Sequence, residues 1–330
     1  MALLVSCGDP DVRQAESFFQ KGKGALNKGE YATAVYYYSQ AVEKLDTFAA
    51  AYNNRGVAYF ELKKYQEALN DHNRALQLNP SMTEAYISRV NANMELGNYY
   101  AVLSDLEWLI QREESNAQLY FIMASAEAML KRYESALARL DTVVVLDPEN
   151  ADAWVNRGTV NYYLGNLEEA EADVKKGLAL NEEVALGHNT LSLIQIEQGD
   201  TTAALASVKQ ALRKEPFNPY FLNNRGYILL LKGDLEEGLE DVQESLRLDN
   251  SNAWGYRNLG LYYLLSGNSQ RAIELLKKAD DMEEEIPLIN VFMGRAYLAE
   301  NERERACDYF RRSASAGEEA GARAVSMYCE

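Results

Sequence analysis

The stretch Ala49 to Met82 reads AAAYNNRGVAYFELKKYQEALNDHNRALQLNPSM, and its spacing recurs along almost the whole chain. Tyr52, Gly56, Tyr59, Ala68, Ala75 and Pro80 mark the pattern. Two further sets of residues hold the register. Pro80, Pro148 and Pro216 follow one another at two periods, and Asn53-Asn54-Arg55-Gly56 returns five periods later as Asn223-Asn224-Arg225-Gly226. Units start at residues 15, 49, 83, 117, 151, 185, 219, 253 and 287 without insertion, and the last ends at Ala320. A period of 34 residues means small units that bury their apolar sides on one another, not one closed core.

Each unit carries two amphipathic helical stretches around a turn. Tyr52, Gly56 and Tyr59 lie on the first; Ala68, His72 and Ala75 lie on the second, which ends at Pro80. On these residues the chain resembles the tetratricopeptide-repeat family. The resemblance implies an all-α fold, a right-handed superhelical solenoid of tandem helix hairpins. The expected organisation is a tether over 1–14, nine repeats over 15–320 and a capping helix over 321–330. The third repeat fits least, with Val90 in the Gly place and no Pro at its end.

Four repeat positions carry physical information, counting from the first residue of each unit. Position 20 is small where two helix backbones approach: Ala34, Ala68, Ala136, Ala170, Ala204, Gly238, Ala272 and Ala306, with only Val102 oversized. Gly29, Gly97, Gly165, Gly199, Gly233 and Gly267 share the turn, where a left-handed residue ends a helix. Position 7 is Arg in four units (Arg55, Arg89, Arg157, Arg225), and position 23 is Asp in the same four (Asp71, Asp105, Asp173, Asp241). The coincidence predicts an Arg–Asp pair inside each of these units, since pairing with the preceding unit would set Arg157 against Arg139. Elsewhere position 7 tends to be apolar (Met123, Leu191, Leu259, Met293), so the Arg is expected to be half buried and its partner costly to remove.

Nothing in the sequence has the spacing of a catalytic, cofactor or metal site, and no enzyme is expected. There is no Gly-rich phosphate loop and no Cys/His zinc spacing. The two histidines, His72 and His188, replace packing residues of the repeat. A net charge of −17 disfavours nucleic acid, whose phosphates need Lys and Arg. No stretch of 18 apolar residues predicts a membrane-spanning helix. Leu4-Val5-Ser6-Cys7 resembles a bacterial lipobox, which implies an acylated Cys7 and a periplasm-facing lipoprotein of the cell envelope. The apolar stretch before it is short and no Lys or Arg precedes it; the alternative is a cytosolic adaptor with a frayed terminus. Cys307 and Cys329 are expected as packed thiols, with a disulfide pinning the cap as the alternative.

The family resemblance further implies that first helices line a concave groove, through positions 2, 5, 6, 9, 12 and 13. Asn54, Asn156, Asn224 and Asn258 stand at position 6, with Asn223 and Arg257 at position 5. An Asn amide is both donor and acceptor and matches a peptide backbone. This ladder is similar to one by which members of the family hold extended peptide. Toward the C-terminus Tyr220, Tyr227 and Trp254, with Leu230, Leu231, Leu261, Leu264 and Leu265, make the groove apolar. That suits a partner helix or apolar anchor, unless neighbouring repeats fill the space themselves. The carboxylate clamp of chaperone-binding members is matched at Asn54 alone, so chaperone tails are not expected. The expected function is a non-catalytic scaffold for a protein or peptide partner.

Overall fold

The structure is a computed structural model that describes residues 9–283 and 286–329. Cys7 lies outside the described residues. Among them the chain forms nineteen α-helices and no strand. The chain divides into two compact units, one up to Ala153 and one from Trp154.

The first unit holds α1 (Pro10–Leu26), α2 (Tyr31–Lys44), α3 (Ala49–Glu61), α4 (Tyr65–Leu78), α5 (Thr83–Glu95), α6 (Tyr99–Ile110), α7 (Ala117–Met129) and α8 (Tyr133–Leu146). Most of α9 (Ala151–Tyr163) belongs to the second unit. There it is followed by α10 (Leu167–Leu180), α11 (Ala185–Glu197), α12 (Thr201–Lys214), α13 (Pro219–Lys232) and α14 (Leu235–Leu248). α15 (Ala253–Leu265), α16 (Ser269–Met282), α17 (Ile289–Ala299), α18 (Arg303–Ser315) and α19 (Glu319–Tyr328) complete it. Odd-numbered helices from α1 to α17 are first helices of repeats, and each packs on the second helix that follows, α9 through Gly158 against Val174, while α19 packs back on α18.

The two ends differ from the expected boundaries. The helix expected from residue 15 already begins at Pro10, because the Asp9 side chain accepts a hydrogen bond from Asp11 N and Pro favours the first turn. The C-terminal helix starts at Glu319. Its Cys329 is disulfide-bonded to Cys307 on α18, with the Cα atoms 5.6 Å apart. The expectation of two packed thiols is thereby corrected. The final helix carries Cys329 back over α18, where Arg303 Nε donates to the Tyr328 carbonyl at 2.7 Å.

Packing inside a hairpin follows one rule. Position 8 of the first helix faces position 24 of the second, and a Gly at position 8 makes room for a larger partner. Gly22 meets the Tyr38 ring, Gly56 the His72 ring, Gly158 Val174, Gly226 Val242, Gly260 Leu276 and Gly294 the Phe310 ring. A Cβ added to Gly56 would stand 2.6 Å from the His72 ring. Position 20 is fully buried wherever it is Ala, and Val102 is buried as well. Position 15, the turn, is left-handed in all nine repeats. Six are Gly, and Lys63, Lys131 and Asn301 adopt φ of 59°, 56° and 62° without that freedom.

Candidate partner-binding face

The expected Arg–Asp pairs form in all four repeats. Arg55 holds Asp71 through Nε and Nη2, both at 2.7 Å. Arg89 holds Asp105 at 2.8 and 2.6 Å, Arg157 holds Asp173 at 2.7 Å twice, and Arg225 holds Asp241 at 2.6 Å twice. Two of these guanidinium groups also reach the preceding repeat: Arg55 Nη1 donates to Ser39 Oγ and Arg89 Nη1 to Asn73 Oδ1. The aromatic residue at position 4 covers the Arg, with its ring 4.5 to 5.4 Å from the guanidinium carbon in the cases of Tyr52, Tyr86 and Trp154. Burial pushes the Asp71 carboxyl above its ordinary pKa even against Arg55, while the hydrogen bonds to Asp71 push the Arg55 guanidinium up. The fourth repeat exchanges the charges: Arg139 takes the Asp place and approaches Glu127, one turn further along the first helix, at 3.7 Å.

His72 is fully buried, and its Nδ1 lies 3.0 Å from Asn53 Oδ1. Burial, together with nearby Arg89, brings its pKa down to about 4. His188 Nε2 lies 2.9 Å from the Glu182 carbonyl. Both histidines are thus engaged within the repeat framework. Among the described residues no cluster of His, Cys, Asp and Glu is arranged to hold a metal ion, and no helix is long and apolar enough to cross a membrane. An open cleft of 720 Å³ beside the start of α7 is lined by Arg112, Glu113, Glu114, Ser115, Asn116, Ala117, Gln118, Asp147 and Asn150.

In the second unit Asn223, Asn224 and Asn258, expected to grip a peptide, hydrogen-bond between neighbouring first helices. Asn224 Nδ2 donates to Asn189 Oδ1 at 2.9 Å, and Asn258 Nδ2 donates to Asn223 Oδ1 at 2.8 Å. Each bond joins position 6 of one first helix to position 5 of the one before it. Thr190 and Thr159 make a related contact at 2.8 Å. Asn258 is 0% and Arg257 is 3% exposed. Arg257 Nε and Nη2 both donate to Asn258 Oδ1, and Nη1 donates to the Pro287 carbonyl at 3.0 Å. The rings of Tyr227 and Trp254 stand 4.7 and 4.8 Å from its guanidinium carbon. Burial pulls the Arg257 pKa down, and burial likewise pushes the phenols of Tyr162 and Tyr227 up.

The nine expected site residues therefore separate. Asn223, Tyr227, Trp254, Arg257 and Asn258 form one internal cluster, in which the three polar side chains are spent on one another and on the backbone. Leu230 and Leu261 of the expected apolar groove are buried beside them, so this part of the groove is filled by the protein itself. Asn224 is half-buried and tied to Asn189. Asn54 and Asn156 are half-buried on α3 and α9. Tyr220 is 58% exposed, and its phenol, raised by partial burial, lies near the Asp249 carboxylate.

What remains open is position 13, at the end of each first helix. Tyr163, Leu231 and Leu265 are 51%, 44% and 46% exposed there. In the first unit the same position holds Asn27, Glu61, Glu95 and Met129. Tyr163 was not among the residues read from the sequence; Met129 in the first unit and Glu197 in the second break any trend at position 13 that would have marked it.

A tetratricopeptide-repeat family model matches residues 49–82, and a second model with the same description matches residues 130–182 and 190–253. No curated protein matches the chain. Among solved structures, the APC/C hetero-tetramer Cut9–Hcn1 is similar with a TM-score of 0.61 and 14% identity, over 96% of this chain and 76% of that one. MamA from Desulfovibrio magneticus RS-1 gives a TM-score of 0.50 and 20% identity, over 54% of this chain and 99% of that one. At these identities the likeness is one of fold.

Proposed function

Because the chain is a tetratricopeptide-repeat protein, we propose that it acts as a scaffold that holds a segment of a partner protein against the first helices of its second unit. Chains of this fold generally serve as non-catalytic protein–protein interaction scaffolds. The observation that carries the specific reading is the exposed pair Leu231 and Leu265 on adjacent first helices, with exposed Tyr163 at the same repeat position beyond Glu197, on an otherwise strongly acidic protein. Apolar side chains gathered on one face lose water-exposed area when a partner covers them.

The test is a photo-crosslinking amino acid placed at position 231 or 265 in the native host, with position 100 on α6 as control. Tyr100 is 67% exposed on a second helix of the first unit. Adducts at 231 and 265 and none at 100 are expected. Equal labelling at all three positions refutes the face. A location at a bacterial envelope membrane is part of the proposal and rests on Leu4-Val5-Ser6-Cys7. The mass of the N-terminal peptide from the native source checks it: acylated Cys7 supports the envelope, and an unmodified Cys7 returns the cytosolic adaptor.

A further inference from the structure

Building on the function just proposed, we infer that the occupant of this face is an amphipathic α-helix of the partner, acidic where it crosses α17 and basic where it crosses α11. An extended guest needs donors and acceptors for its backbone, and each one left unpaired against an apolar surface is costly. Across α13 and α15 the amides that would serve are turned to their neighbours, Asn224 to Asn189 and Asn258 to Asn223. A helix satisfies its own backbone and asks only for apolar contact on one side.

The spacing agrees. Packed helices lie roughly 8–10 Å apart, and a helix rises about 1.5 Å per residue. Leu231 and Leu265 are one repeat apart on neighbouring first helices, so a crossing helix meets them with residues about five to seven apart, and at the upper end of that range both contacts fall on one of its faces.

Charge sets the direction. At positions 2, 5, 6, 9, 12 and 13 of α11, α13, α15 and α17 there is one carboxylate, Glu197, in a chain with 50 acidic residues. The one exposed guanidinium among those positions is Arg295, on α17. Neither is in a salt bridge among the described residues. Glu197 ends α11, which packs on α13, and Arg295 lies on α17, which packs on α15, so the two stand on opposite sides of the α13–α15 pair. A guest carrying a carboxylate over Arg295 and a cation over Glu197 is complementary to both, which fixes orientation and suppresses wrong partners.

The experiment maps the adducts formed at 231 and 265 to a partner segment by tandem mass spectrometry. That segment is then synthesised and measured against the full-length protein. The expected segment has apolar residues at helical spacing with an acidic and a basic end, and its circular dichroism gains helix on binding. A central Pro in the peptide weakens binding at least about tenfold. Leu231→Glu with Leu265→Glu does the same, and Arg295→Glu weakens binding until the peptide's facing carboxylate is replaced by Lys. The Pro peptide leaves the protein untouched, so the result stands even if a protein variant misfolds. A mapped segment that tolerates Pro, a second copy of this chain, or a lipid adduct overturns the helix while leaving an interaction face at α13 and α15. No adduct at either position removes the proposed function itself.

Discussion

His72 should behave as a pH sensor of the second repeat's stability. Its imidazole has Nδ1 against Asn53 Oδ1, while Nε2 is buried without a partner. Neutral His72 fits this site with the proton on Nδ1 donating to the Asn carbonyl. Protonation would place a second N–H where nothing accepts it, close enough to Arg89 to feel its charge. The folded pKa of about 4 lies below the ordinary 6.5, so the contribution of burying the neutral ring is complete above pH 6.5. It is lost as pH falls toward about 4, where the folded state finally accepts the proton. The gap corresponds to about 3 kcal/mol as an upper bound. With two histidines in the chain, imidazole NMR gives two titration curves, and the one that vanishes in His72→Phe belongs to His72. Melting temperatures of the wild type and His72→Phe, compared from pH 7.5 to 4.5, cancel the titration of the carboxylates common to both. The wild type should lose stability faster. A His72 midpoint near 6.5, or parallel pH profiles for the two proteins, refutes the reasoning.

Asp71→Ala leaves Arg55 half-buried without its carboxylate, and should cost about 3 kcal/mol, against a few tenths for the exposed Asp46→Ala, by chemical denaturation. Gly56→Ala drives a Cβ into the His72 ring and should destabilise strongly alone but little in a His72→Ala background; additive effects in this double-mutant cycle would exclude the contact. Lys63→Gly and Lys131→Gly relieve left-handed turns and should each raise stability by roughly 0.5–1 kcal/mol, read from denaturation midpoints. Reducing the Cys307–Cys329 disulfide, or Cys329→Ser, should speed amide hydrogen exchange in α19 before any other helix and remove about 3 kcal/mol from that end.

The repeat architecture and the Arg–Asp pairs were legible because one contact is written several times. Arg and Asp recur together at positions 7 and 23, and a coincidence over four repeats survives whatever the rest of each repeat does. The small residues at position 20 are legible for the same reason. The Asn bonds between first helices were not legible because donor and acceptor capacity does not say who the partner is. A clue lay in the offset: Asn189 precedes Asn224, and Asn223 precedes Asn258, each by one repeat and one residue. Arg257 has no counterpart in other repeats, so its burial between Tyr227 and Trp254 left no periodic trace. The disulfide was not readable either, because the sequence separation of 22 residues between its cysteines says nothing of their distance until α19 folds back over α18. The exchanged pair of Arg139 and Glu127 broke the pattern in both residues at once and left a single instance, which periodicity cannot detect.

The Asn fastening from one first helix to the previous one is interchangeable among its users. If residues 219–252 were excised as a block, Asn258 would arrive opposite Asn189, which now receives Asn224, and the bond would re-form with a new owner. Such a chain can be lengthened or shortened by gene duplication and loss in whole modules without inventing a new joint. The cost of changing length falls on the guest, which must find its contacts on a longer or shorter row of helices.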